Sequence, residues 1–299
     1  GYRLVDMDLF SRDEAEELIN HTLKVSVKEI SPKILSALLD KRRNDGYSAH
    51  ISPLWLRMVL SILDEMGDAD FKAINNEPFE RDDVKINSYL EHLIDGLAPE
   101  PESLFMQYIE LSCLYFDADV VMTSLYASAI TVTGISETEL AALCADSWDE
   151  LEFSGFARWM RQFFRQNPLT GRWTLGHAIL KKVILSQYGD KLGQIRRDYV
   201  SVLLSSGKSE DSMKELVYQT IESGDTALFA DIMETAGTDV ADYIVSLLEE
   251  GLSKDALISF AGAFVSDYGM EFRPIDDLIW CLVVDSGVEQ HLGGDYRLR

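Results

Sequence analysis

The sequence predicts a mainly α protein interrupted by one short β-hairpin. Three observations carry that reading. Apolar residues recur at helical spacing through most of the chain, and several runs open on a helix start signal. One stretch breaks the pattern: Phe164–Gly171 reads as a strand end and tight turn, and Arg172–Leu175 as a short strand running into Gly176, His177 and an amphipathic helix. After Gly189-Asp190, short apolar runs are separated by tight polar turns.

Taken in order, Tyr2–Leu9 reads as an extended segment. Ser11-Arg-Asp-Glu14 is a capping box, in which the first hydroxyl and the later carboxylate satisfy each other's backbone amides. It opens a helix with Ala15, Leu18, Ile19 and Leu23 on one face. Ser31-Pro32 and Ser52-Pro53 are further start signals, because proline at the first helical position has its φ preset and lacks an N–H that would go unpaired there. Ile34, Leu35, Leu38 and Leu39 follow the first; Leu54, Trp55, Met58, Val59, Ile62 and Leu63 follow the second, until Gly67 stops it. A polar loop, Asp68–Asp83, leads to a helix over Val84–Asp95 closed by Gly96.

The proline- and acid-rich Ala98–Glu102 predicts a first boundary. Helices are expected at Ser103–Phe116, Ala118–Ala129 and Glu137–Cys144, the last behind Gly134 and a second capping box, Ser136–Glu139. Ser147–Phe164 reads as a helix or a broken pair, interrupted near Ser154-Gly155. Helices, a hairpin and a closing helix in this order spell a winged-helix domain. Gly189-Asp190 is the second boundary. Lys191–Ser206, Asp211–Glu222, Thr226–Thr235, Thr238–Glu250, Ser253–Tyr268 and Pro274–Ser286 then read as antiparallel helix pairs of a repeat region, without a clean 34-residue period. The expected organisation is a helical bundle over 1–97, a winged-helix domain over 98–190 and an α-helical, TPR-like repeat region over 191–299.

The totals agree with a folded, protein-binding chain. At 299 residues, two to three domains are expected, and 46% hydrophobic residues suffice for large cores. Seven prolines and no Ser/Gly-rich tract argue against long linkers. A net charge of −24 disfavours nucleic acid and anionic membranes as partners and favours proteins. The cysteines, Cys113, Cys144 and Cys281, are far apart in apolar helical contexts, as expected of reduced thiols in the cytoplasm. No apolar run approaches a membrane span. The opening GYRLVDMDLF lacks the features of a signal peptide and reads like the interior of a longer protein.

Catalytic motifs are lacking. The five histidines make no H-x-x-x-H pair, and no G-x-S-x-G occurs. Ser206-Gly-Lys-Ser209 imitates the end of a phosphate-binding P-loop, but Val202 stands where the first glycine belongs and the context is helical. The chain is therefore not expected to be an enzyme by itself. Charge is more informative. From Phe153 to Gly189 there are six basic residues (Arg158, Arg161, Arg165, Arg172, Lys181, Lys182) and no acidic ones, leaving a net −30 on the rest of a −24 chain. Such a patch can dock on an acidic neighbour, face a phosphate-bearing ligand, or hold DNA; the acidic flanks disfavour DNA.

Several segments, in this order, resemble the regulatory half of NACHT-type STAND ATPases, which are nucleotide-dependent signalling switches. VDMDLFSRDEAEELI resembles the exit from the ATPase core and the first small helical domain. ISPLWLRMVLSIL resembles the family's helix with a proline at its start, and TVTGISETELAAL its winged-helix G-[LI]-[ST]-E-x-E-L core. WTLGHAILKKVILSQYG resembles the strand–His–helix that ends that domain, and ELVYQTIESGDTALFADIME the first helix pair of a TPR-like region. The likeness spans roughly residues 4–235.

The resemblance implies three cofactor-binding residues. Pro53 matches the proline that lies against adenine, although a first-turn helix proline accounts for it equally, and Ile51 stands where the family has glycine. His177 matches the winged-helix histidine that contacts the phosphates of ADP; alternatively it edges the core stripe of Ile184 and Tyr188. Lys181, one turn on, is a further candidate. ADP or ATP would be held only together with a nucleotide-binding domain, its P-loop expected about 150–250 residues before Gly1. No cofactor is expected in the isolated chain, and no metal.

The implied function is a sensing and regulatory fragment that couples nucleotide state and a trigger, bound through the repeats, to self-oligomerisation in antiviral defence or signalling. The alternatives are a winged-helix DNA-binding regulator and a helical-repeat protein-interaction adaptor.

Overall fold

The computed structural model describes residues 9–25, 30–65, 82–206, 209–236 and 239–268. Among these the chain is mainly α, with fourteen α-helices and one two-stranded antiparallel sheet. It forms two compact units: Gly1–Phe116 with Trp159–Gln162, and Asp117–Arg158 with Phe163–Arg299. The helix expected over Pro274–Ser286, the Tyr2–Leu9 segment and most of the Asp68–Asp83 loop lie outside the described residues.

The first unit contains α1 (Arg12–Val25), α2 (Pro32–Asp40), α3 (Pro53–Glu65), α4 (Asp82–Gly96) and α5 (Pro101–Tyr115). The start signals act as their chemistry requires. Glu14 accepts from the Ser11 amide at 2.9 Å while Ser11 Oγ accepts from the Glu14 amide at 3.3 Å. Ser31 Oγ caps α2 through the Ile34 amide, and Ser52 Oγ accepts from the Trp55 amide at the head of α3. The predicted apolar stripes form the core: Ile19, Ile34, Leu38, Trp55, Met58 and Val59 are fully enclosed. The expected boundary segment at 98–102 is a fixed corner. Trp55 Nε1 donates to the Ala98 carbonyl at 2.8 Å, and the Gln107 amide bonds both Ala98 N–H and Gly96 C=O. Helix α5 is part of the first unit, which runs to Phe116 and takes in Trp159–Gln162.

In the second unit, α6 (Ala118–Ile130), α7 (Glu137–Cys144), α8 (Glu150–Trp159), β1 (Phe164–Gln166), β2 (Trp173–Leu175) and α9 (Ala178–Gln187) follow one another in a winged-helix-like order. Strand β1 pairs with β2 as Phe164↔Leu175, Arg165↔Thr174 and Gln166↔Trp173. Ile135 adds a single antiparallel bridge to Trp173 on the hairpin, a feature too short for sequence periodicity to reveal. The second capping box is present, Ser136 and Glu139 bonding reciprocally. Helix α8 runs unbroken through Ser154-Gly155, against expectation. Its buried Phe153 and Phe156 pack on Trp173 and Phe164, and that burial outweighs the ~1 kcal/mol that glycine costs a helix.

At the expected boundary, Gly189-Asp190, α9 passes into α10 (Gly189–Ser205) through Tyr188, which caps both helices. Helix α10 packs on α6 and α7. Helices α11 (Glu210–Ser223), α12 (Thr226–Ala236), α13 (Asp239–Glu250) and α14 (Lys254–Tyr268) follow as a helical-repeat-like cluster in which α11 touches the other three. Phe229 of α12 makes edge contacts with Phe260 and Phe264 of α14, at 4.9 and 5.4 Å between centroids.

Candidate functional site

Polar side chains are expensive to bury without partners, so a buried cluster of them marks where sequence was spent on something besides packing. The second unit holds such a cluster, built from four helices and the wing. Its first half centres on Glu139, whose carboxylate is the N3 acceptor of the α7 capping box. The same Oε2 accepts from Arg172 Nη2 at 2.7 Å and from the Tyr199 hydroxyl at 3.2 Å, and Oε1 accepts from Ser212 Oγ at 3.4 Å. Arg172 Nε donates to the Gly134 carbonyl at 3.0 Å. The Arg172 and Glu139 side chains are only 6% and 4% exposed. Burial, with Glu215 and Glu139 nearby, pushes the Tyr199 phenol well above its ordinary pKa and keeps it a hydrogen-bond donor.

The second half centres on Glu215 of α11, which is fully buried. Its carboxylate accepts from the Val132 amide (3.2 Å), the Thr133 amide (2.9 Å), Thr133 Oγ1 (2.7 Å) and Gln219 Nε2 (2.7 Å). Gln219 Nε2 also donates to the Ile130 carbonyl at 2.9 Å, and its Oε1 accepts from Arg196 Nη1 at 2.6 Å. Burial raises the Glu215 pKa above the usual carboxylate value, against the lowering pull of Thr133 and Gln219. The donors of the cage favour the anion, but burial outweighs them.

Between the two halves lies Gly134, with φ +85°. A Cβ there would lie 2.7 Å from Thr174 Cγ2 and 2.8 Å from the Trp173 carbonyl oxygen, so both the backbone conformation and the space require glycine.

The residues expected to meet a nucleotide fall in different places. Pro53, in the first unit, is the first residue of α3 and half-buried, as a helix-starting proline would be. His177 is the N-cap of α9, with extended backbone (φ −138°, ψ 128°), and its imidazole does not cap its own helix. Beside it the Arg165 side chain crosses Gly176 so closely that a Cβ would meet its Nε at 2.9 Å. First-turn amides of a helix lack intrahelical acceptors, so a histidine and an arginine at that terminus form a donor set suited to phosphate oxygens. Lys181 is different. Its Nζ donates to the Thr131 carbonyl at 3.2 Å, and burial lowers its pKa, partly offset by Glu215 and Glu222. Its amine is thus placed with the buried cluster, one turn along α9 from His177.

The basic patch also reads differently. Arg172 and Lys181 point inward, and Arg161 pairs with Asp64 within the first unit. Arg158, Arg165 and Lys182 are exposed. Ser209, from the P-loop-like tetrad, caps α11 by accepting from the Ser212 amide at 3.1 Å. Among the described residues no group of three or more His, Cys, Asp or Glu is placed to hold a metal, and no helix is long and apolar enough to cross a membrane.

Sequence reading missed Glu139, Arg172, Ser212, Glu215 and Gln219 as a set. A signal existed: Ser212, Glu215 and Gln219 share one face of α11, where an apolar stripe would otherwise stand. Comparison with family models, with curated proteins and with solved structures returns no match for this chain.

Proposed function

We propose that this chain is the regulatory half of a STAND-type, NACHT-like nucleotide switch: a small helical domain, a winged helix and the first helices of a sensor. The observation that carries the reading is the position of His177. It closes the wing and opens α9, at a helix terminus where phosphate is favoured, with Arg165 laid across the adjoining Gly176. In the full-length polypeptide His177 and the Ala178 and Ile179 amides at the head of α9 would hold phosphate oxygens of ADP, which would stabilise the closed state. A trigger with higher affinity for the open state then shifts the population toward self-assembly.

The test is the nucleotide content of the full-length polypeptide. Purified without added nucleotide and extracted with acid, it is expected to release ADP in near-stoichiometric amount. Absence of any adenine nucleotide, together with no binding of added ADP, would overturn the reading.

A further inference from the structure

Every backbone polar group named between Ile130 and Ile135 is satisfied from outside the segment. The Ile130 carbonyl accepts from Gln219, the Thr131 carbonyl from Lys181, and the Val132 and Thr133 amides donate to Glu215. The Gly134 carbonyl accepts from Arg172, and Ile135 exchanges both backbone hydrogen bonds with Trp173, at 2.9 and 2.7 Å. This segment leaves α6, crosses under the wing and enters α7. Its inner end is held by α11 side chains and its outer end by β2.

The geometry around it is asymmetric. Helix α10 lies directly against α6 and α7, whereas α11 packs on α10, α12, α13 and α14 and reaches the winged helix through Ser212, Glu215 and Gln219. That contact is polar. Polar groups lose little when they exchange a protein partner for water, so these hydrogen bonds can open while α11 keeps its packing on α10 and no large apolar surface is exposed. While it stays dry, it transmits position, because an unpaired buried carboxylate is costly.

We propose that this seam is a releasable latch between the helices α11–α14 and the β1–β2 hairpin, with Glu215 as its positioning residue. A shift of α11 along α10 removes Glu215 and Gln219 from the 130–133 segment. Gly134, packed against Thr174 and the Trp173 carbonyl, then shifts with it, and β2 loosens ahead of Gly176 and His177. The latch stands on this chain's geometry alone and does not require the nucleotide-switch reading.

Residue-resolved amide hydrogen exchange on the intact chain tests it, comparing wild type with Glu215→Ala and with the isosteric Glu215→Gln. In both variants the Val132 and Thr133 amides should exchange about tenfold faster, the loss of roughly one net hydrogen bond. The Ile135 and Trp173 amides should accelerate with them, while Phe229 and Phe260 in the sensor core keep their wild-type rates. Acceleration confined to Val132 and Thr133 would make Glu215 a local cap and overturn the latch. Uniform acceleration that includes Phe229 and Phe260 would make the seam a structural weld and overturn it equally.

Discussion

Glu139 holds the Ser136 amide at 3.0 Å and the Arg172 guanidinium at 2.7 Å on the same carboxylate oxygen. One residue thus starts α7 and anchors the wing. A buried pair of this kind adds little net stability over apolar packing, but losing one partner strands the other. Arg172→Met is expected to destabilise the second unit by about 3–5 kcal/mol, and adding Glu139→Gln, which keeps the capping amide contact, should recover part of that loss. Denaturant titration of the two singles and the double closes the cycle; additive effects would show that the pair is not coupled.

Gly134→Ala combines a left-handed backbone with contacts below 3 Å to Thr174 and the Trp173 carbonyl. The variant should lose at least about 2 kcal/mol, more than left-handed backbone alone would cost. Chemical denaturation followed by tryptophan fluorescence measures it.

Ala145 is the opposite case. It is a non-glycine residue at φ 46°, ψ −113°, and it is exposed at the end of α7. Ala145→Gly relieves strain without leaving a void and should stabilise by about 1 kcal/mol. An unchanged or lowered melting temperature would contradict that.

The two units should respond oppositely to acid. Burial lowers the pKa of His50, a shift that Arg12 and Arg42 reinforce while Asp40 and the Leu39 backbone oppose it. The unfolded chain therefore binds a proton first. The His50 contribution to the stability of the first unit is full above pH 6.5 and falls as pH drops toward the folded pKa. Glu215, buried and facing Thr133, Gln219, Lys181, Tyr199 and Arg172, has its pKa raised, so the folded form binds the proton first. Its contribution to the second unit is greatest below pH 4.5 and declines as pH rises through the folded value. Melting curves from pH 7.5 to 4.5 for His50→Gln and Glu215→Gln should each lose the corresponding slope.

Much of the helical fold was legible in sequence because its signals are local. Ser11, Ser31, Ser52 and Ser136 cap helices at the places their motifs indicate, and the hairpin turns where Asn167 and Gly171 stand. What was not legible depends on partners distant in sequence. The Ser154-Gly155 pair signals a break that Phe153 and Phe156 override by packing on the wing. Lys181 carries the same charge whether it faces a phosphate or the Thr131 carbonyl, and spacing cannot distinguish them. Glu139 was recognised as a cap, yet nothing local announces that Arg172, 33 residues on, shares its oxygen.

In the proposed switch, His177 would face nucleotide phosphate and Lys181 would not. The most direct measurement is the rate at which the full-length polypeptide releases bound ADP, in wild type, His177→Ala and Lys181→Met. His177→Ala should speed release about tenfold or more, the loss of a charge-assisted hydrogen bond to phosphate, while Lys181→Met lowers stability and leaves release unchanged. Wild-type release from His177→Ala would return His177 to the core stripe of α9 and contradict the account.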